Sequence, residues 1–191
     1  MAGISPQISN LVIILGMMQV SKKIPFDDPN VLLGVRILYV VSNLLIFGIY
    51  YYVGTKIKAK RDMTTLKYVE PAPMGSGEEP KLVTTTVQEY DLSQLSSLYK
   101  GQLMGVAMMA FMHLYLKYTN PLLIQSIIPV KSAFEGNLIK VYLFNKPAVG
   151  ELKRPWKAAG GMMGMAQGAP VTDKASVEAA ERAGRGGAKE E

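Results

Sequence analysis

Residues 102–123 read QLMGVAMMAFMHLYLKYTNPLL, and residues 102–116 of that run carry neither lysine, arginine nor carboxylate. With Asp91 as an N-cap and Gln94 three residues on as its partner, the spacing predicts a helix that opens near Leu92 and is closed by Asn120-Pro121. Such a helix has about 27 residues and a length of ~40 Å at 1.5 Å per residue, more than a ~30 Å hydrocarbon core. The stretch therefore predicts a helix that crosses a membrane and stands a turn or two out of it.

The faces of this helix differ in chemistry. At about 100° per residue, Gln102, Val106, Met109 and His113 fall on one stripe, and Met104, Met108, Met112 and Tyr115 on the neighbouring flank. One reading is a helix packed in a bundle, with its polar groups hydrogen-bonded to neighbours. The other is a methionine surface, Met104, Met108, Met109 and Met112, that holds client segments of varied shape. Unbranched, polarizable thioethers repack around many partners.

Composition supports the membrane reading. Of 191 residues, 49% are hydrophobic and 19% charged, and the apolar residues are clustered. There is no cysteine and one histidine, which excludes a thiolate metal site, a cysteine nucleophile and a multi-histidine metal site. No paired carboxylates lie in the apolar stretches. The chain reads as a non-enzyme with no cofactor. Its net charge of +6 is concentrated at Lys56, Lys58, Lys60 and Arg61 and at Lys153, Arg154 and Lys157. Such clusters suit anionic headgroups or ribosomal RNA; no DNA partner is expected.

Three apolar segments open with a capping side chain before proline: Ser5-Pro6, Asp28-Pro29 and Asn120-Pro121. Residues 8–20 are short for a span. Residues 31–53 are long enough to cross, ending in Tyr50, Tyr51 and Tyr52 before KIKAKR, an interfacial pattern with a cytosolic end. Within that span Arg36, Asn43 and Tyr50 recur every seven residues, with Tyr39 beside them. The arginine either snorkels to headgroups or, with Asn43, lines a polar groove. Residues 81–87 suit a short strand, for which no partner strand is evident. Residues 121–134, interrupted by Gln125, Pro129 and Lys131 and stopped at Gly136-Asn137, suit a kinked half-helix that residues 138–144 would extend. The tail is rich in Gly and Met, with a short alanine-rich helix at 173–183.

The expected fold class is an all-α membrane protein, a small bundle of three to four hydrophobic helices with a cytosolic loop and a flexible C-terminal tail. Its parts are two helices in 5–53, a polar loop in 54–90, the long helix and the kinked segment in 91–144, and the basic tail in 145–191. By the positive-inside rule the tail is cytosolic, which requires an even number of crossings from a cytosolic N-terminus.

At RDMTTLKYVEP (61–71), MMAFMHLYLKYTNPL (108–122), PVKSA (129–133), LKRP (152–155), EAAERAG (178–184) and RILY (36–39), the chain resembles a fungal endoplasmic-reticulum membrane family. That family carries two names, inorganic phosphate transport protein and SRP-independent targeting protein of the SND pathway. The second name implies help in delivering or inserting membrane proteins, together with SND partners and the Sec61 translocon. The first implies a role in phosphate uptake, as a carrier or through maturation of a phosphate transporter. Neither brings catalytic residues.

These readings combine into a biogenesis factor whose intramembrane groove is Arg36, Asn43, Gln102 and His113, and whose methionine surface receives client membrane proteins beside Sec61. The basic runs would touch the ribosome or endoplasmic-reticulum lipid. The alternatives are a phosphate carrier, for which one arginine and no internal repeat are weak material, and a passive ribosome or translocon tether.

Overall fold

Asp28 caps the second helix as its spacing to Pro29 requires: its carboxylate accepts from the Asn30 N–H at 2.8 Å, and the proline occupies the first turn, where an N–H has no intrahelical partner. The structure, a computed structural model, describes residues 6–70, 80–156, 170–172 and 175–178. In chain order the elements are α1 (Pro6–Ser21), α2 (Pro29–Lys60), β1 (Thr65–Glu70), β2 (Lys81–Thr86), α3 (Val87–Ala110), α4 (Asn120–Glu135) and α5 (Asn137–Tyr142). A π-helical turn at Phe111–Tyr115 prolongs α3, and a 3-10 turn at Gly150–Leu152 follows α5. Residues 175–178, inside the alanine-rich segment, are helical.

The chain is mostly helical, and the all-α expectation is corrected by a two-stranded antiparallel sheet, β1 against β2, in register from Thr65 opposite Thr86 to Glu70 opposite Lys81. The partner strand absent from the sequence reading is TLKYVE, the body of the RDMTTLKYVEP motif. β2 passes directly into α3. Thr86 is the cap: its hydroxyl accepts from the Glu89 N–H while the Glu89 carboxylate accepts from the Thr86 N–H. The start expected at Leu92 with Asp91 as cap is therefore wrong by a turn. A Thr-x-x-Glu box lay upstream, and Asp91 sits inside the helix with its side chain fully buried.

Helix directions follow from cross-helix pairs. Along α2 and α3, Arg36 meets His113, Asn43 meets Gln102, and Tyr50 packs edge-on against Tyr99 at 5.4 Å, so the two helices run antiparallel. Farther along this crossing, a Cβ on Gly54 would lie 3.1 Å from Leu95 Cδ2, a close approach that the missing side chain permits. Lys131 of α4 reaches Asn10 of α1, while Met18 and Ser21 share a cleft with Asn120 and Pro121, which makes that pair antiparallel too. The main chain thus passes up and down four times. Both the start of α1 and the chain after α4 lie at the end that holds the β-hairpin.

Two apolar clusters hold the helices. At the hairpin end, Ile46, Tyr50, Val53 and Ile57 of α2 pack with Tyr90 and Leu95 of α3, Ala133 of α4, Ile139 and Tyr142 of α5, and Trp156. At the far end Val35, Met109, Leu122 and Leu123 form the second cluster, with Met17, Phe26, Tyr39 and Met112 against it. Between and around them α2 shows apolar side chains outward: Leu33, Ile37, Val40, Val41, Leu44 and Leu45 are all exposed. Among the described residues α2 is the helix long and apolar enough to cross a membrane. The central stretch does not qualify by that measure, because α3 devotes its first half to the hairpin-end cluster and to polar positions.

The kinked segment resolves into two helices. α4 tolerates Pro129 in its interior, and Gly136, in extended conformation, separates it from α5. The boundary expected at residue 53 moves to Lys60, where Arg61 closes α2 in the left-handed region (φ 44°). The tail is not loose from residue 145: it folds back as far as Trp156, which is buried. Residues 157–169 and 179–191, where the rest of the flexible tail was expected, lie outside the described residues, as does the segment 71–79.

Candidate functional site

The two stripes read from the sequence face each other, and their four polar side chains meet as two separate pairs. In the first pair the Gln102 Nε2 donates to Asn43 Oδ1 at 2.6 Å, and Asn43 Nδ2 in turn donates to the Tyr39 carbonyl at 2.8 Å. Asn43 is buried, so this pair joins α2 to α3 with its amide partnered on both sides. In the second pair Arg36 Nε donates to His113 Nε2 at 3.0 Å, and His113 Nδ1 lies 3.1 Å from the Tyr118 carbonyl. An imidazole that accepts at Nε2 and faces a carbonyl at Nδ1 is the neutral Nδ1–H tautomer.

The π-helical turn sets this second pair in place. The Leu116 N–H reaches the Phe111 carbonyl and the Tyr118 N–H reaches the Met112 carbonyl, which widens the helix at His113, and Lys117 then turns the chain with φ 61°. The result is a cleft of about 410 Å³ lined by Arg36, Tyr39 and Val40 of α2, by Met109, Ala110, His113 and Leu114, and by Leu122 of α4. Apart from Arg36, His113 and the tyrosine, its walls are apolar. The volume falls in the ~300–1,000 Å³ range of ligand pockets.

The methionines divide. Met104 is 70% exposed and Met108 49%, so these two form an apolar surface. Met109, expected on that surface, is instead 1% exposed at the centre of the far-end cluster, and Met112 packs against the same cluster. Met109 packs with Val35 of α2 and with Leu122 and Leu123 of α4, and the half-buried Met112 lies against that cluster.

The basic residues divide as well. Lys56, Lys58, Lys60, Arg61 and Lys153 are exposed at the hairpin end, with Lys56 over the Tyr52 ring and Lys60 over the Tyr142 ring. Lys157 lies outside the described residues. Arg154, expected as a surface contact, is corrected: its Nε and one terminal nitrogen donate to the two Asp91 oxygens at 2.6 and 2.7 Å, and its side chain is 8% exposed. The Tyr142 hydroxyl donates to the same carboxylate at 2.6 Å, and the guanidinium lies 5.1 Å over the Trp156 ring. The Trp156 N–H donates to the Tyr90 hydroxyl at 2.7 Å.

This knot has electrostatic consequences. Burial pushes the Tyr90 phenol up to about 12, helped by Tyr68 and Asp91 nearby. Tyr142 is raised too, first by burial and then by its hydrogen bond to the Asp91 carboxylate. Burial works against the Arg154 charge, but Asp91 more than offsets it, and the guanidinium is held more basic than usual.

Sequence reasoning missed the Asp91, Tyr142 and Arg154 knot, whose members are 51 and 63 positions apart with no local signal. It also passed over a polar link between α1 and α4: Lys131 Nζ lies 2.8 Å from Asn10 Oδ1 and 2.7 Å from Glu135 Oε1. The i, i+4 spacing of Lys131 and Glu135 was a usable signal for the ion pair.

Residues 4–188 match the family described as Phosphate transport (Pho88). The chain is 54% identical over 187 residues to SRP-independent targeting protein 3 of Saccharomyces cerevisiae, covering 98% of this chain and all of that protein. It is 42% identical to the SRP-independent targeting protein 3 homolog of Schizosaccharomyces pombe, over 93% of this chain and 91% of the relative. No solved structure matches it significantly. A family model matched along almost the whole length, and a relative aligned from end to end, place this chain in the Phosphate transport (Pho88) family.

Proposed function

We propose that this protein acts in SRP-independent targeting of membrane proteins at the endoplasmic-reticulum membrane, lying in the bilayer and offering the cleft at Arg36 and His113 to the transmembrane segment of a client. The names of its relatives support the targeting role. Membrane embedding is supported by α2 and by the breadth of exposed apolar surface: Ile8, Leu11, Val12 and Leu15 on α1, seven residues of α2 from Leu33 to Leu45, and Leu103, Met104, Phe111 and Leu114 beyond them. A soluble domain does not leave such a continuous apolar surface in water. The hairpin end, with its exposed lysines, is the cytosolic end by the positive-inside rule, and both the start of α1 and the tail then face the cytosol.

The observation that carries the client role is the cleft itself. It has apolar walls suited to a client's apolar residues, and a cation with a neutral hydrogen-bonding partner suited to a polar flank. Asn43, buried, and Gln102, half-buried, bond to each other nearer the hairpin end and lie outside the lining of the cleft. At that end Lys56, Lys58, Lys60, Arg61 and Lys153 are positioned to meet a ribosome or anionic lipid beside Sec61. The family description raises phosphate transport as a second reading. A direct carrier would need several cations converging on one anion, and this cleft has a single one, so the phosphate role is read as indirect.

Insertion of in vitro translated clients into microsomes tests both parts. Arg36→Leu is expected to lower insertion of clients with polar flanks about tenfold, the scale of one charge-assisted hydrogen bond, while purely apolar clients insert as before. Equal insertion of both classes would overturn the role of the cleft. Replacing Lys56, Lys58, Lys60, Arg61 and Lys153 with glutamine is expected to reduce ribosome co-sedimentation at moderate salt, since fewer counterions would be released on contact with RNA. Co-sedimentation that does not change would remove the ribosome contact.

A further inference from the structure

We infer that the Arg36 cleft is a phospholipid site, in which the guanidinium holds the phosphodiester of a diacyl glycerophospholipid and one acyl chain lies along Val40, Ala110 and Leu114. The inference rests on the membrane embedding of α2 proposed above but not on the client role. Arg36 spends Nε on His113 and leaves both terminal nitrogens, a fork whose geometry matches two phosphate oxygens. Its charge is not neutralised: His113 is an uncharged acceptor, and among the described residues no carboxylate forms an ion pair with Arg36. The carboxylate at the start of the same helix, Asp28, is committed to the Asn30 N–H.

Depth and surroundings select the ligand. Arg36 follows Pro29 by seven residues, ~10 Å along the axis, which sets it one to two turns below the far end of the apolar run. That is snorkelling range of headgroup phosphate for a long cationic side chain. Outward neighbours Leu33, Ile37 and Val40 are exposed, so the cleft opens sideways onto the surface that faces lipid. Free phosphate would lose its water against Val40, Met109, Ala110, Leu114 and Leu122 with one guanidinium in return, whereas a lipid brings its own apolar chain to those walls.

Native mass spectrometry of the full-length protein in neutral detergent, with dioleoylphosphatidylglycerol added, tests this. One lipid per chain is expected to be retained, about tenfold less by Arg36→Gln, and little by Ala110→Phe, which fills the cleft at an exposed position while keeping the cation. Unchanged helicity of each variant by circular dichroism establishes that it is folded. Dioleoylglycerol, which lacks the phosphate, is expected not to be retained, and millimolar inorganic phosphate not to displace the lipid. Equal retention of dioleoylglycerol or by Arg36→Gln would reduce the cleft to an apolar surface, and displacement by inorganic phosphate or full retention by Ala110→Phe would make it a free-anion site; each overturns the proposal. Loss of lipid with normal client insertion, or the reverse, separates this inference from the targeting role.

Discussion

Replacing Asp91 with asparagine is expected to lower the unfolding free energy by about 3–5 kcal/mol, because it strands the Arg154 guanidinium at a site where the carboxylate is fully buried and the arginine nearly so. The effect is local as well as global. Trp156 and the segment that carries it are held by this ion pair, by the Tyr90 hydroxyl and by ring contacts, so limited proteolysis of Asp91→Asn is expected to cut at residues 145–156, which the native protein protects. Replacing Asp91 by leucine and Arg154 by methionine together should cost less than the single change, since no charge is left unpaired. A double variant as unstable as the single one, or unchanged proteolysis, would show that the knot does not hold the tail. The raised phenols set the pH window. Tyr142, held above its usual value, contributes stability that is complete below about pH 10 and is lost as pH rises through its folded value, so the tail is expected to detach in strong alkali and not near neutrality.

Ile57→Ala is expected to destabilise by about 2–5 kcal/mol in detergent, whereas Leu44→Ala, thirteen positions earlier on the same helix, is expected to change stability by less than about 0.5 kcal/mol. Ile57 is 0% exposed within the hairpin-end cluster, and its truncation leaves a cavity; Leu44 is 65% exposed, and its loss exchanges one apolar contact with lipid or detergent for another. Denaturant unfolding of both variants measures the difference. Similar losses at the two positions would mean that the outward face of α2 is covered by protein and not by lipid. The contrast matters for function, because a helix packed inward at both ends and bare along the outward face of its far half is free to meet a client or a lipid where the cleft lies.

Local signals in the sequence determined much of this arrangement. Asp28-Pro29 set the start of α2, since a carboxylate beside a proline satisfies the first turn from within two residues. Helical spacing placed Arg36 with Asn43, and Gln102 with His113, because side chains seven and eleven residues apart on a helix share a face whatever surrounds it. Which stripe met which was decided by the tertiary structure: the β-hairpin returns α3 antiparallel to α2, so Arg36 pairs with His113 and Asn43 with Gln102, and a groove drawn as one line becomes a buried link and an open cleft. Burial likewise sorted the methionines, taking Met109 into the far-end cluster and leaving Met104 exposed, a choice that depends on Val35 and Leu122 from other helices. Asp91 and Arg154 show the limit most plainly. Read locally, one is a helix cap and the other a surface cation; the fold brings them within 2.6 Å across 63 residues, where the low dielectric of the interior makes each the other's necessary partner.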